Sequence, residues 1–435
     1  MPSTFLTRTN SSAVTAERKL FTISFWVKRS AVGVQHALCS AGNGGGSEEF
    51  SIRFNTSDQI DIFHYTGSYV GRLVTNRLFR DTNAWYHIYF VYDSTNSTAG
   101  DRMKLYINGV RETSFSASTN PTQNDELPWN NDQRQQIGSN SWGNSGNGSS
   151  TLNGYMSYFY NVAGSIIDVG QFGSTDSTTG EWKINTSPTI ASYGGQGFLV
   201  LKDGNTITDQ SPNSNNWSSG GTLTKSEDCP SNVFATLNFL DEDQATSNTF
   251  SNGNNTLVSG GNGARSTLAA NSGKYYAEVK LTSGNGQMNG IQDMSKKINA
   301  NTGTVLLLAS GATLYVAGSS SSYGSAWSAG DIMQIAMDLT SSTKKVYFGK
   351  DGQWWNGSAF GSANPDNGTT LSDDTFYGFR SDSGVGTPTA DWNFGNGYFG
   401  TTAISSEGTN ASGHGKFEYN VPTGYTALCT KGLNE

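Results

Sequence analysis

Apolar and polar residues alternate in short runs along most of the chain, and each run ends in a cluster of Gly, Asn, Ser, Thr or Asp. Successive side chains of a strand point to opposite faces, so these runs read as half-buried strands separated by turns. Residues 20–27 set the pattern, and residues 50–54 and 59–63 repeat it across the turn Asn55, Thr56, Ser57 and Asp58. Residues 84–92 form a long aromatic run that reads as a central strand. Residues 103–107 lead into Asn108 and Gly109, a pair suited to a type I′ hairpin turn because both positions tolerate positive φ, and residues 110–112 begin the return. Residues 156–160 close this half of the chain. A less regular stretch, 166–228, holds one strand signal at 197–201. Alternation returns at 274–281, preceded by the turn Asn271, Ser272 and Gly273. It continues at 331–339 and at 345–349, which runs into the turn Lys350, Asp351 and Gly352. No segment of ten or more residues shows helical periodicity, so the pattern predicts an all-β protein.

A length of 435 residues exceeds one sandwich and suits two, each able to bury its own core without disulfides or metal. Only 14% of residues are charged, yet aromatics reach 12%, which separates the chain from disordered polar sequences and fits many short packed strands. The net charge is −8, and Lys and Arg are scattered singly, which speaks against nucleic acid and anionic membrane surfaces as partners. No apolar stretch approaches the ~18 residues of a membrane span, so no membrane insertion is expected. Cys39, Cys229 and Cys429 are odd in number and far apart, which argues against a disulfide framework and leaves a single bridge open. The N-terminus lacks a basic region followed by an apolar core. A lectin-like surface without an export leader fits a protein assembled in a host cytoplasm and released by lysis; leaderless export is the alternative.

Four segments carry a resemblance. "FTISFWVKRS", "WYHIYFVYDS", "MKLYINGVRE" and "LNGYMSYFYNVAG" resemble, in order and spacing, the core strands of the concanavalin A-like, laminin-G-like jelly rolls. "GKYYAEVKL", "GDIMQIAMDL", "KKVYFGKDGQW" and "DWNFGNGYF" are similar to the SPRY family in its usual order. The stretch between them, with "DCPSNVFATLNFLD" and the close "VPTGYTALCTKGLNE", resembles connectors and ends of bacteriophage tail-fibre and appendage proteins. The resemblance implies two tandem antiparallel β-sandwiches: a jelly roll over 1–165, an irregular connector over 166–240 and a SPRY-like sandwich over 241–435.

The jelly-roll fold also carries glycan hydrolases, which need two carboxylates facing one bond. The Glu-x-Asp-x-x-Glu strand pattern of laminarinase-type enzymes is absent, Asp241, Glu242 and Asp243 read as a solvated loop, and Glu48 and Glu49 read as surface. His36, His64, His87 and His414 stand alone, with His87 expected as a packed residue; no Gly-x-Ser-x-Gly elbow and no zinc-ligand spacing is present. Gly44, Gly45 and Gly46, and Gly260 with Gly261, lack the Lys-Ser/Thr of a phosphate loop and read as turns. No enzyme is expected and no cofactor is required.

Binding chemistry is better represented. Sugar rings need a flat aromatic face and amide or carboxylate partners; the loop 118–150 places Trp129 and Trp142 among Asn130, Asn140 and other polar residues. Core filling or a subunit contact would explain the same tryptophans. Trp354 and Trp355, after the Asp351-Gly352 turn, are candidates for a subunit interface or ligand face, with subunit contact favoured. Trp26, Trp85 and Trp392 lie in strand patterns and read as core. Asp93 and Asp101 bracket the loop "DSTNSTAGD" and offer two ligands for Ca²⁺, although ordinary turns prefer the same residues.

The leading expectation is a bacteriophage virion protein, a tail fibre or a capsid or tail appendage, that mediates adhesion to host-surface glycans. Its partners would be other virion proteins and those glycans, and weak contacts would gain from a homo-oligomer, a trimer or multi-copy array. A purely structural decoration or connector protein is the alternative, supported by a jelly roll that begins almost at Met1. A polysaccharide depolymerase is the second.

Overall fold

The computed structural model describes residues 4–43, 46–140, 150–202, 206–242, 247–261, 263–284, 286–340, 342–371 and 375–434. The chain divides into two compact units, Met1–Thr224 and Lys225–Glu435, each a β-sandwich.

In the first unit one antiparallel sheet runs, in spatial order, Phe115–Thr119, Tyr69–Thr75, Ile60–Tyr65, Glu49–Phe54, His36–Gly42, Arg134–Ile137, Phe5–Thr9 and Ser218–Gly220. The facing sheet runs Phe198–Val200, Gly154–Ala163, Leu20–Arg29, Trp85–Asp93, Met103–Ile107 and Val110–Arg111. Between them Phe21, Ile23, Phe25 and Val27 meet Phe50, Ile52, Phe54, Ile60 and Ile62 in the main core. Each large side chain buried there contributes about 1.5–3 kcal/mol. Asn108 and Gly109 have φ of 49° and 76°, the positive pair that a type I′ turn requires.

The strand Leu20–Arg29 is buried on both faces. Its second face is covered by the chain after Ala163: Phe172, Ile167, Val169, Ile190 and Tyr193 cluster with Tyr89, Val91, Tyr160 and Leu199. Thr22 Oγ1 donates to the Ser165 carbonyl at 3.0 Å and accepts from the Ile167 amide at 3.1 Å, tying that cover to the sheet. Trp26 stacks on His87 at 5.0 Å, and the Trp182 indole N–H donates to His87 Nδ1 at 3.0 Å. Trp26, Trp85 and His87 are thus packed residues, and Trp392 lies in the core of the second unit.

The expected break at 165 and the separate connector 166–240 are corrected. Phe198–Val200 pairs with Gly154–Ala163, and Ser218–Gly220 pairs with Phe5–Thr9, so the chain up to Thr224 completes the first sandwich. Phe198 and Trp217, 4.9 Å apart, fill its core. Leu237–Glu242 pairs with Ala264–Ser266 and belongs to the second unit. Unpaired sheet edges and uncovered apolar faces are costly, and this polar-looking stretch supplies both partners.

In the second unit a sheet of Leu237–Glu242, Ala264–Ser266, Tyr377–Ser383, Gln287–Asp293, Thr304–Leu308, Thr313–Val316 and Ser319–Ser322 faces a larger one. The larger sheet is centred on Lys274–Ser283, Ile332–Asp338 and Lys345–Lys350. Its outer face is covered by the C-terminal segment: Phe417, Val421, Tyr425 and Cys429 cluster with Tyr276, Ala336 and Trp354. Glu278, fully buried, fixes this segment by accepting from the amides of Glu418 and Tyr419 at 2.9 and 2.8 Å. It also accepts from Tyr276 Oη at 2.9 Å and Asn393 Nδ2 at 3.2 Å.

The described residues hold one short α-helix, Thr15–Lys19, and no helix long and apolar enough to cross a membrane. Among the described residues Cys39, Cys229 and Cys429 form no disulfide.

Candidate functional site

Three neighbouring strands of the eight-stranded sheet, Glu49–Phe54, Ile60–Tyr65 and Tyr69–Thr75, define the candidate site. Phe50, Ile52, Phe54, Ile60, Ile62 and Leu73 fill the core, so period-two alternation turns Arg53, Asp61, Phe63, Tyr65 and Arg72 to the outer face. At the hairpin tip Gly67 has φ of +91°, a conformation open to glycine. The register shifts between His64 and Tyr65, which sets Tyr69 directly opposite Tyr65 on that face.

The result is an aromatic cluster on a rigid support. Tyr69 meets Phe63 and Tyr65 edge-on, both with centroids 5.5 Å away, a geometry worth about 0.5–1.5 kcal/mol per pair. Phe63 is only 4% exposed, whereas Tyr69 is 40% exposed and offers its ring to solvent. The Arg72 guanidinium lies 4.1 Å from the Tyr69 ring centre, and that of Arg53 lies 4.6 Å from Phe63.

Both arginines share one carboxylate. Arg53 donates to Asp61 Oδ2 through Nε at 3.1 Å and Nη2 at 2.8 Å. Arg72 donates through Nε to Oδ1 at 3.0 Å and through Nη2 to Oδ2 at 3.1 Å. The Asp61 side chain is fully buried while those of Arg53 and Arg72 keep 17% and 26% exposure, so the cations stand outward of their anion. The hydrogen bonds that Arg72 donates to Asp61 raise its pKa above the ordinary value. Glu49, paired across the ladder with Tyr65, is pushed up to about 7 by burial, against the pull of Arg53 and a hydrogen bond from Asn140.

Beneath the tip, His64 Nδ1 lies 2.8 Å from Asp125 Oδ2, which also accepts from Tyr92 Oη at 2.7 Å. Burial opposes the charged imidazole, but the bonds to Asp125 and Glu48 outweigh it and raise its pKa. His64 therefore does not stand alone; it anchors the strand end that carries Tyr65. The reading of Glu48 and Glu49 as surface is corrected as well, since Glu49 is 3% exposed and Glu48 is engaged by His64 and Gln133.

The other expected site residues lie elsewhere. Trp129 is fully buried, with its indole N–H donating to Asn161 Oδ1 at 3.0 Å, and Asn130 is fully buried and bonded to Asn161. Neither has a face for a sugar, which corrects that expectation: the loop folds inward and its tryptophan fills the core. Trp142 lies outside the described residues, as does Asp243. Asn140 is half-buried and bonds Glu49. Trp354 is 2% exposed beneath the C-terminal segment, and Trp355 stacks on Tyr323 at 4.6 Å, so the expected interface or ligand face is corrected to internal packing. Asp93 accepts from Thr95, and Asp101 pairs with Lys104 and Arg111. Among the described residues no three His, Cys, Asp or Glu side chains gather as a metal-binding group. A shallow cavity of about 200 Å³ lies between Met103, Lys104, Arg111 and Phe115, without an exposed ring.

The patch of Arg53, Asp61, Tyr65, Tyr69 and Arg72 was not anticipated from the sequence. Its signal was one charged residue, Arg53, Asp61 or Arg72, flanked by apolar neighbours in each of three successive strands.

Residues 7–160 match the family described as the concanavalin A-like lectin/glucanases superfamily. Among solved structures, the SPRY domain of human HERC1 is 18% identical with a TM-score of 0.27, covering 36% of this chain and 96% of that one. The Ruminococcus gnavus IT-sialidase CBM40 is 15% identical with a TM-score of 0.26, over 36% and 82%. A heptameric SAP-like pentraxin from Limulus polyphemus is 11% identical with a TM-score of 0.31, over 50% and 89%. A search of the curated proteins found no match. The chain is thus two β-sandwiches, with a match to the concanavalin A-like family over residues 7–160 of the first, and scores of this size say nothing about ligand.

Proposed function

We propose that the chain is a glycan-binding protein whose site is the outer face around Tyr69. The observation that carries this is the half-exposed Tyr69 ring, held edge-on by Tyr65 and Phe63 with the Arg72 guanidinium 4.1 Å away. An apolar ring face receives the C–H side of a sugar, and the fixed N–H donors beside it receive the oxygens. The match of residues 7–160 to a superfamily of lectins and glucanases supports the same reading.

The finer reading is a bacteriophage virion component, a fibre or appendage that holds the particle to host-surface glycans. Its support is the resemblance of the stretch after the first jelly-roll strands, and of residues 421–435, to phage appendage proteins. On this reading the protein assembles in the host cytoplasm, leaves by lysis, acts without catalysis or an obligatory cofactor, and works in several copies. Asp101 pairs with Lys104 and Arg111, which would compete with Ca²⁺ at that loop, and binding that is insensitive to EDTA is the expected result.

A glycan array probed with the full chain and with Tyr69→Ala tests the binding reading. Specific signals that fall at least tenfold in the variant are expected; an array without signal overturns it. Cryo-electron microscopy of purified particles tests the virion reading, with density at a fibre or appendage tip expected and absence from the particle overturning it.

A further inference from the structure

We infer that the patch takes an acidic sugar, its carboxylate or sulfate group received by Arg53 and Arg72 beside the Tyr69 ring. The inference rests on the glycan reading above and adds the class of ligand.

Asp61 accepts four N–H bonds from the two guanidiniums, three at Oδ2 and one at Oδ1, which leaves it at most one lone-pair site, at Oδ1. It is also fully buried, so it has nothing to offer a sugar hydroxyl. Glu49 and Ser51, on the same face, are 3% and 0% exposed. Each guanidinium carries five N–H donors and gives two of them to Asp61. The rest find no acceptor among the described residues, and both side chains reach solvent.

The rim is therefore rich in donors and poor in acceptors. A neutral sugar presents hydroxyls that both give and accept, and is served best by amides or carboxylates set beside donors. A carboxylate or sulfate only accepts, and matches the forked geometry of arginine. Charge points the same way: the two guanidiniums share Asp61, and the second carboxylate of this face, Glu49, is buried with its pKa pushed up to about 7, on a chain whose net charge is −8. Leaving those donors against a neutral ligand would waste the stronger, charge-assisted bonds that they can form. The aromatic cluster would hold the ring while the arginines read its charge.

The test alters the ligand first, so that folding of a variant is not at issue. The full chain is probed with a panel of oligosaccharides, each present as the uronic acid, as its methyl ester and as the reduced neutral sugar, alongside sulfated neutral oligosaccharides. Acid forms binding at least tenfold more tightly than their esters, with affinity falling as salt rises, are the expected result. Preference for the sulfated members would keep the acidic class and assign sulfate as its source. Esters and acids bound equally would overturn the inference while leaving the glycan reading in place, and no binding across the panel would overturn both. Arg72→Gln, checked for an unchanged folded spectrum, then locates the site. Loss of the preference for acids is expected in the variant, and a preserved preference would overturn the assignment to these arginines.

Discussion

The indole N–H of Trp129 donates to Asn161 Oδ1 at 3.0 Å inside the first sandwich, where both residues are fully buried. Asn161 passes its own N–H bonds to Asn130 Oδ1 at 2.7 Å and to the Gln196 carbonyl at 3.2 Å. The pair thus joins the loop before Arg134–Ile137 to the strand Gly154–Ala163 and to the chain beyond it. Trp129→Ala should cost about 3–5 kcal/mol, the usual range for a large core ring replaced by a cavity. Trp129→Phe should cost less, about 1–3 kcal/mol, for an amide oxygen left without its donor. Urea unfolding of the first unit's transition checks both, and a neutral Trp129→Ala would return this residue to the surface.

Asp61 holds two guanidiniums without exposure of its own. Asp61→Ala removes the shared anion and leaves like charges side by side, which should destabilise the first unit by about 3–5 kcal/mol. Arg72→Gln should cost much less, because Arg53 still pairs with the carboxylate. A comparable loss in the two variants, measured by thermal melts, would contradict the division of labour drawn from their exposures.

Glu278 gives a pH dependence of definite sign. Burial, opposed by its four hydrogen-bond donors, pushes its carboxyl from 4.5 up to about 7 in the folded protein. Between those values the folded state binds more protons than the unfolded chain, so stability is full below about pH 4.5 and is lost as pH rises through 7. The stability of the native protein minus that of Glu278→Gln should therefore fall by an amount on the order of 3 kcal/mol from pH 4.5 to 8. Denaturant titrations across that range measure it; a flat or rising difference would mean that the carboxylate is ionised throughout.

The hairpin at Asn108 and Gly109 tests the cover on the other sheet. A Cβ at Gly109 would lie 2.4 Å from the Trp182 ring, and φ there is +76°. Gly109→Ala should push Trp182 off His87 and cost a few kcal/mol, about 1–2 of them from the backbone alone. The Trp182 indole N–H resonance, bonded to His87 Nδ1 at 3.0 Å, should shift or broaden. An unchanged resonance would show that the cover yields without breaking this contact.

Strand alternation made the architecture legible: residues 20–27, 103–107 and 274–281 and all but the first residue of 84–92 lie in strands, and the type I′ turn has the φ values that Asn108 and Gly109 imply. His36–Gly42 was not legible, because a strand of Ala, Cys, Ser and Gly carries little alternation even when buried throughout. The extent of the first unit was hidden for a similar reason. Phe198 and Trp217 each enter the core from a short segment among polar turns, and pairing with distant strands has no local signature. The candidate site failed differently. Tryptophans in a polar loop attracted attention, but Trp129 turns inward, while Tyr69 reaches its face through a bulge that no sequence period predicts. Charges at 53, 61 and 72 were visible; that they share one carboxylate follows only from strand register.

The chain that blankets the outer side of Leu20–Arg29 has a consequence for valency. With that side occupied by Phe172, Ile167 and Tyr193, the glycan face proposed for the first sandwich is the one around Tyr69 on the other sheet. If that face is the one site each molecule offers, a lone molecule coats a glycan-bearing surface without bridging two of them. Clumping of cells or beads would require several copies held together, so agglutination by the protein as purified would report its assembly rather than its affinity.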